Sequence, residues 1–527
     1  MENENLEVQE GVAVGTDSTG ELNREYVYEN RRYVGLKETV WYVVYDMCQS
    51  FNIDSFSDRF VTNILQIDLD YQTIVRIVNG FWDVINDVFT AAVVERTRTR
   101  WGKFKPYLVA LGIPGTIGTC FYWLMPMIFK GKGARDMSKF LTYFILTLVR
   151  EGAGTFRAIA RTGMLATITP HPVDRTRLIT VAEFVSGLLG EKLPQQILTV
   201  LLDLIGNKVI NLSYTSTFMV MGNFTSIVSG FAALAFCVMT RERVMQSIET
   251  PSVMQGIKSV INNKPILLLT LSETLSNFSV GGSINDYYID VLNFASMTMV
   301  AGIPGAIINP FSFYFVPWFR RRFSTKTLYL VSTKIQPLLD IPVYLVGMIG
   351  GKHNGLYKKV LPMFFVMAIK EAIYMVFWGV RRVIPSEMYN ESMDYCEWKN
   401  GYRTEAMTSV ARELTKKLAS ILNSAVSLQL KKMIGYDISS YTRGQAQTDE
   451  TKHGLFAIAT IIPTLTGLLG IIPILFYDLS GEKRERMYAE LLVRREEMAA
   501  KLADATTEEI QAIGKEQMEI GSKKQDL

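Results

Sequence analysis

Histidine, cysteine and clustered positive charge are all scarce in this 527-residue sequence. The three histidines, His171, His353 and His453, fall in short polar stretches, which argues against imidazole metal sites and histidine proton relays. The four cysteines lie far apart, so they have neither the spacing of a zinc site nor the density of a disulfide framework. A net charge of +4 without a long Lys/Arg run disfavours binding to nucleic acid. Because no nucleophile stands beside a base and no Gly-rich phosphate loop occurs, we expect neither an enzyme nor a cofactor.

Long apolar runs dominate what is present. Three segments of roughly 20 residues or more carry no charge, and a helix of that length crosses the hydrocarbon core of a bilayer: 106–129, 214–239 and 455–477. Nine weaker candidates fill the gaps: 36–64, 71–93, 138–168, 176–205, 265–292, 297–318, 326–350, 357–384 and 405–434. The sequence therefore predicts an all-α polytopic membrane protein with twelve transmembrane helices, and a soluble helical protein is the alternative.

The charge pattern predicts the order and orientation of the parts. Short basic stretches lie at even-numbered connections, so both termini are expected in the cytoplasm, with the spans in the plasma membrane. A loose repeat of one basic connection favours two six-helix halves. The expected parts are an acidic cytoplasmic leader, an N-terminal bundle, a linker, a C-terminal bundle and a charged helical cytoplasmic tail: 1–34, 35–240, 241–264, 265–479 and 480–527. Whether a cytoplasmic partner binds the tail stays open.

Charged residues inside the predicted spans form stripes. Arg76, Gly80, Asp83 and Asp87 recur at i, i+4, i+7 and i+11, and Arg150, Gly154, Arg157 and Arg161 repeat this spacing in another span; Asp46, Ser50 and Asp54 form a third stripe. Each charge facing lipid at a helix centre costs about 2.5 to 3.5 kcal/mol. These side chains should therefore face a wet or paired interior, either as structural ion pairs or around a binding cavity.

The two kinds of charge suit different ligands. Asp83 and Asp87, one turn apart, suit a monovalent cation or a transferable proton, because two neighbouring carboxylates repel each other until one is neutralised. Arg157 and Arg161 suit a carboxylate or phosphate on a substrate, because the guanidinium fork stays charged and binds bidentately. In a rival interpretation, Arg161 pairs with Asp83 or Asp87 as a built-in cation.

Three segments carry a resemblance to a known family. They are FWDVINDVFTAAVVERTRTRWGKFKPYLV (81–109), ATITPHPVDRTRL (166–178) and MDYCEWKNGYRTEAM (393–407). These resemble the glycoside-pentoside-hexuronide:cation symporters, the melibiose permease branch of the major facilitator superfamily, and the spans align in order. The resemblance implies the major facilitator fold and a secondary active transporter that moves a sugar by alternating access, coupled to Na⁺ or H⁺.

The resemblance also implies roles for individual residues. Asp83 and Asp87 match the family's cation-binding carboxylates. The substrate-binding positions it implies are Asp46, Ser50, Trp378 and Lys417, to which we add Arg157 and Arg161 from the stripe. Arg161 falls where melibiose permease has an Asp, so we expect an anionic or glycosidic sugar, with hexuronides ahead of neutral disaccharides. The alternatives are a sugar uniporter and a transporter-like sensor that signals through the tail.

Overall fold

The computed structural model describes residues 35–96, 99, 104–168, 178–179, 181–182, 184–240, 263–400, 405–479 and 481–503. Within these ranges the regular elements are helices, and no strand occurs. The leader, nearly all of the linker and the end of the tail lie outside the described residues.

Twelve helical spans and a tail helix follow one another along the chain. In the N-terminal half they are α1 Leu36–Ser50, α2 Leu69–Arg96, α3 Lys105–Ile128, α4 Met137–Ile168, α5 Ser186–Glu191 continued by Lys192–Gly206, and α6 Tyr214–Met239. In the C-terminal half they are α7 Lys264–Asn277, α8 Met297–Tyr314 with Val316–Arg322, α9 Thr325–Gly347, α10 Val360–Val376 with Trp378–Asn400, α11 Glu405–Met433, and α12 Asp449–Leu475; the tail helix is α13 Glu482–Ala503.

Length and composition support membrane insertion. Among the described residues, the three helices α3, α6 and α12 are long and apolar enough to cross a membrane, or five if the bent pairs in α8 and α10 each count as one span. The three are the charge-free segments that the sequence singled out. The charged stripes lower the mean hydropathy of α1, α2 and α4.

Several spans begin where side chains cap the first turn. Ser213, Asn263, Ser324 and Thr448 each accept a hydrogen bond from the backbone N–H three residues later. Such caps satisfy N–H groups that have no partner within the helix, which fixes where a span starts.

The span that begins with α7 is interrupted after that helix, and we call this interruption the break in α7. Helix α7 ends at Asn277, and a short helix, Ile284–Asp290, follows after a break that contains Gly281 and Gly282. The N–H of Gly282 donates to the carbonyl of Ile458 in α12 at 2.7 Å, and a Cβ on Gly281 would lie 2.7 Å from that same oxygen. The break therefore needs glycine to let the two backbones approach.

The two halves meet along α2 and α11, and they are joined at one end by buried charges; we call this the distal end. At the opposite end, which we call proximal, α7 begins and α12 ends, and Lys264 pairs with Asp478 at 3.2 Å. Five side chains form a network at the distal end that we call the distal lock: Arg59, Asp286, Asp290, Lys431 and Tyr436. Each residue of the lock is at most 8 % exposed.

Arg59 is the N-terminal half's contribution to the distal lock. Its guanidinium donates to both carboxylate oxygens of Asp290, at 2.7 and 3.0 Å, and to Asp286 at 3.3 Å. Lys431 pairs with the other oxygen of Asp286, and the Tyr436 hydroxyl donates to Asp290 at 2.7 Å. Two cations thus balance two carboxylates across the junction between the halves.

The tail helix α13 lies against α10. Trp398 Nε1 donates to Glu490 at 2.6 Å, Arg484 pairs with Glu391, and Met487 and Leu491 are buried. Because Arg486 and Trp398 both donate hydrogen bonds to Glu490, the pKa of that carboxyl lies below its ordinary value.

Candidate functional site

A polar cavity of about 220 Å³ lies inside the N-terminal half, between α1, α3, α4 and α6. Aromatic, amide, hydroxyl and charged side chains line it, together with Gly154 and Ala158: Tyr45, Gln49, Asn52, Asp54, Thr116, Thr119, Trp123, Arg150, Arg157, Arg161, Thr225, Ser226 and Ser229. Hydroxyl and amide groups can pair with sugar hydroxyls, and an aromatic ring can cover a sugar face.

The three arginines of the α4 stripe all line this cavity, but their partners differ. Arg150 pairs with Asp54 at 3.2 Å, and its guanidinium lies 4.3 Å from the centre of the Tyr122 ring. Arg161 pairs with Asp46. Arg157 has no carboxylate partner among the described residues, which leaves its guanidinium as the uncompensated charge of the cavity.

Asp46 and Ser50 lie outside the cavity lining. Asp46 is buried, accepts a hydrogen bond from Ser186 at 2.7 Å and holds Arg161, so it acts as a positioning residue in this state. Ser50 packs against Gly190 of α5, where an added Cβ would lie 3.0 Å from the Ser50 Cβ.

Asp83 and Asp87 share one cation across the junction between the halves. Lys417 of α11 reaches both carboxylates of α2, with Nζ 2.8 Å from Asp83 and paired with Asp87. All three side chains are partly exposed, with Lys417 at 34 %. The rival pairing of Arg161 with Asp83 or Asp87 is wrong in this structure, because Arg161 is held by Asp46 and Lys417 takes that place.

Trp378 does not line the cavity of the N-terminal half. Its ring packs edge-on against Tyr374 with the centroids 6.0 Å apart, and the Arg382 guanidinium lies 5.0 Å from the Trp378 ring centre. The Tyr374 hydroxyl accepts from Arg381 at 2.8 Å, so Trp378 supports a neighbouring cation.

A second, larger cavity in the C-terminal half was missed by the sequence reasoning. It measures about 660 Å³ and contains Lys334, Asp340, Lys370, Glu371 and Arg381. Scanning the predicted spans 326–350 and 357–384 for every charge would have found them all.

Apart from Arg157, the charged side chains of the three stripes form ion pairs within the described residues. Besides the pairs above, Arg76 contacts Asp58, Arg412 contacts Glu273 at 2.6 Å and Lys370 contacts Asp340. The described part of the chain contains no group of three or more His, Cys, Asp and Glu that could hold a metal ion. The arrangement presents hydroxyl, amide and guanidinium groups to a solute in the N-terminal cavity, and it places two carboxylates around one lysine at the junction between the halves.

Comparison with known proteins identifies the family. The family described as MFS/sugar transport protein matches residues 34–481. The glucuronide carrier protein homolog of Escherichia coli K12 is 25 % identical over 82 % of this chain and 90 % of its own length. The isoprimeverose transporter of Lactiplantibacillus pentosus is 22 % identical over 82 % of this chain and 85 % of its own length.

A more distant relative and a solved structure complete the comparison. The putative sulfoquinovose importer of Salmonella typhimurium LT2 is 21 % identical over 83 % of this chain and 88 % of its own length. Among solved structures, the nucleoside transporter NupG aligns with a TM-score of 0.49 and 12 % identity over 84 % of this chain and 97 % of its own length. The prediction of a twelve-helix, all-α transporter in two halves, and not an enzyme, is confirmed. The chain belongs to the MFS sugar-transport family.

Proposed function

We propose that this protein carries anionic sugars, hexuronides ahead of neutral disaccharides, by alternating access. The observation that carries the proposal is Arg157, a guanidinium that faces a hydroxyl-rich cavity without a carboxylate partner among the described residues. The Arg157 side chain is partly buried and so has lost part of its hydration, and a substrate carboxylate that docks there gains a charge-assisted, bidentate contact. Two relatives named for a glucuronide and for sulfoquinovose, both acidic sugars, support this choice.

Coupling to Na⁺ or H⁺ is proposed at Asp83 and Asp87. A cation or proton that neutralises these carboxylates releases Lys417. Because Lys417 belongs to the other half, occupancy of the carboxylates changes a contact that holds the halves together. This gives the coupling ion a direct influence on which state the carrier adopts.

We propose the plasma membrane as the location, with both termini and the proximal end in the cytoplasm. The basic connections of the sequence support this orientation. With this orientation, the distal lock closes the carrier toward the outside.

A competition assay tests the substrate class. Purified protein in proteoliposomes should take up a labelled hexuronide, with glucuronides and galacturonides displacing it far better than neutral disaccharides. Arg157→Gln should raise the KM for the acidic sugar at least tenfold, whereas Arg157→Lys should retain part of the affinity because the charge remains. Equal displacement by neutral and acidic sugars would exclude the anionic assignment.

A sugar uniporter is the second candidate, and Lys417 favours it. If Lys417 never leaves Asp83 and Asp87, it serves as a fixed internal cation and no coupling ion is needed. Uptake with and without gradients of Na⁺, Li⁺ or H⁺ separates the two candidates, because a uniporter cannot accumulate its substrate. A sensor would instead bind sugar without flux and would depend on α13.

A further inference from the structure

The C-terminal cavity contains more positive than negative charge. Lys334, Lys370 and Arg381 line it together with Asp340 and Glu371. Lys370 and Asp340 pair with each other, so they cancel. Glu371 also lines the cavity, and its Cγ packs against α8, where a Cβ on Gly305 would lie 2.8 Å away. Lys334 and Arg381 therefore leave one net positive charge in the cavity, and neither pairs with a carboxylate among the described residues.

Lys334 is held only by neutral acceptors. It is 2 % exposed, and its amine donates to the Ser276 hydroxyl and to the Gly467 carbonyl at 3.0 Å. No carboxylate in the described ranges contacts it. Gly470 leaves the room for this amine, since a Cβ there would lie 2.6 Å from Nζ. The ammonium has three N–H groups, so one remains for a ligand in the cavity.

Arg381 is oriented in the same way. Its Nη1 donates to the Tyr374 hydroxyl at 2.8 Å and to Gln336 at 3.4 Å, both neutral partners. The guanidinium keeps further N–H donors in a planar fork, which matches a carboxylate or sulfonate. Lys334 is a buried cation and Arg381 is a partly exposed one, and neither has a carboxylate partner in the described ranges, so the two together favour an anionic ligand in this cavity.

The rest of the lining suits a sugar. Asn277, Thr333 and Asn423 supply amide and hydroxyl groups, and about 660 Å³ lies within the range of small-molecule sites. Asn423 lies on α11, the helix that also carries Lys417. It follows Lys417 by six residues of α11, about 9 Å along the helix axis.

We propose that Lys334 and Arg381 form a second anion subsite, so that the preferred substrate has an acidic group on each of two sugar units. This inference rests on the proposed function: Arg157 binds the first acidic group, and the C-terminal cavity binds the second. The substrate class is thus a diuronide rather than a hexuronide with a neutral aglycone.

Binding titrations on the purified full-length carrier test the subsite without requiring transport. Three disaccharides of equal size serve as probes: a neutral one, one with a single uronic acid, and one with two. In the unaltered protein, the second carboxylate should tighten Kd at least tenfold relative to the single one. Lys334→Met should abolish that gain and leave Kd for the monoacid within twofold, whereas Lys334→Arg should preserve the gain.

A control and a second variant make the test decisive. Lys326→Met removes an α9 lysine that also donates to two carbonyls, those of Leu475 and Tyr477, but lies outside the cavity, so it should change no affinity. If Lys334→Met does not fold, Arg381→Gln carries the same expectation. Equal affinity for mono- and diacid in the unaltered protein, or equal weakening of all three probes by Lys334→Met, would overturn the inference. Loss of preference for the monoacid over the neutral sugar would instead refute the proposed function at Arg157.

Discussion

Arg59 provides the most direct test of how this carrier is held closed at its distal end. Arg59→Gln keeps a hydrogen-bonding side chain but leaves Lys431 as the only cation for Asp286 and Asp290. Removing one partner of a buried ion pair costs about 3 to 5 kcal/mol, because the remaining charge stays desolvated. Only the state with the halves in contact bears this cost, so the ratio of distally open to closed protein should rise by about two orders of magnitude or more.

Spin labels can report this shift. Lys132 and His353 are exposed residues in distal loops of opposite halves, so cysteines there, in a chain without its native cysteines, allow one distance to be measured by pulsed electron paramagnetic resonance. Arg59→Gln should move the distance distribution to a longer separation. Arg135→Gln, which removes an exposed distal cation paired with Asp68 at 3.0 Å inside one half, should not.

A charge-balanced variant separates electrostatics from lost packing. Arg59→Gln combined with Asp290→Asn restores one cation per carboxylate, since Lys431 and Asp286 still pair. This double variant should return much of the population to the short distance. A single-variant distribution that superimposes on the unaltered protein would show that the distal lock does not hold the halves together.

The remaining predictions concern three other parts of the molecule. Gly281→Ala should lower the melting temperature of the purified protein, because overpacking costs about 1 to 3 kcal/mol. Gly118→Ala is the control and should leave the melting temperature unchanged, because an added Cβ there meets no atom within 4 Å. Equal melting curves for the two variants would contradict the need for glycine at the break. Lys417→Gln should strengthen binding of the coupling cation measured without sugar, because Asp83 and Asp87 lose their internal competitor; unchanged affinity would place the ion elsewhere. Because the pKa of Glu490 is lowered, its contact with α10 should persist above the ordinary pKa of a Glu carboxyl and weaken as the pH falls through the lowered pKa. Limited proteolysis of the tail at different pH values can follow this change. A tail that is equally protected at every pH would argue against the contact.

The fold was largely predictable because the membrane imposes a simple rule on sequence. Charge-free runs of about 20 residues leave few alternatives to spanning helices, and α3, α6 and α12 coincide with those runs. The break in α7 was not predictable in this way. Its position depends on how closely the backbone at Gly281 and Gly282 approaches α12, which is a contact between distant segments.

The candidate site was predictable in its charges but not in their pairing. Helical spacing placed Arg157 and Arg161 on one face of α4, and both line the cavity. The same spacing cannot show that Asp46 neutralises Arg161 while Arg157 has no carboxylate partner in the part of the chain that the structure describes, because such partners come from other helices. The distal lock was missed for the same reason.

The break in α7 has a mechanical consequence for alternating access. Asn277, before the break, lines the C-terminal cavity, whereas Asp286 and Asp290, after it, hold the distal lock. One interrupted segment therefore connects the C-terminal cavity to the distal lock, with Gly281 and Gly282 between them. We expect a solute that displaces Asn277 to move Asp286 and Asp290 as well, which would couple binding in the cavity to opening of the distal lock.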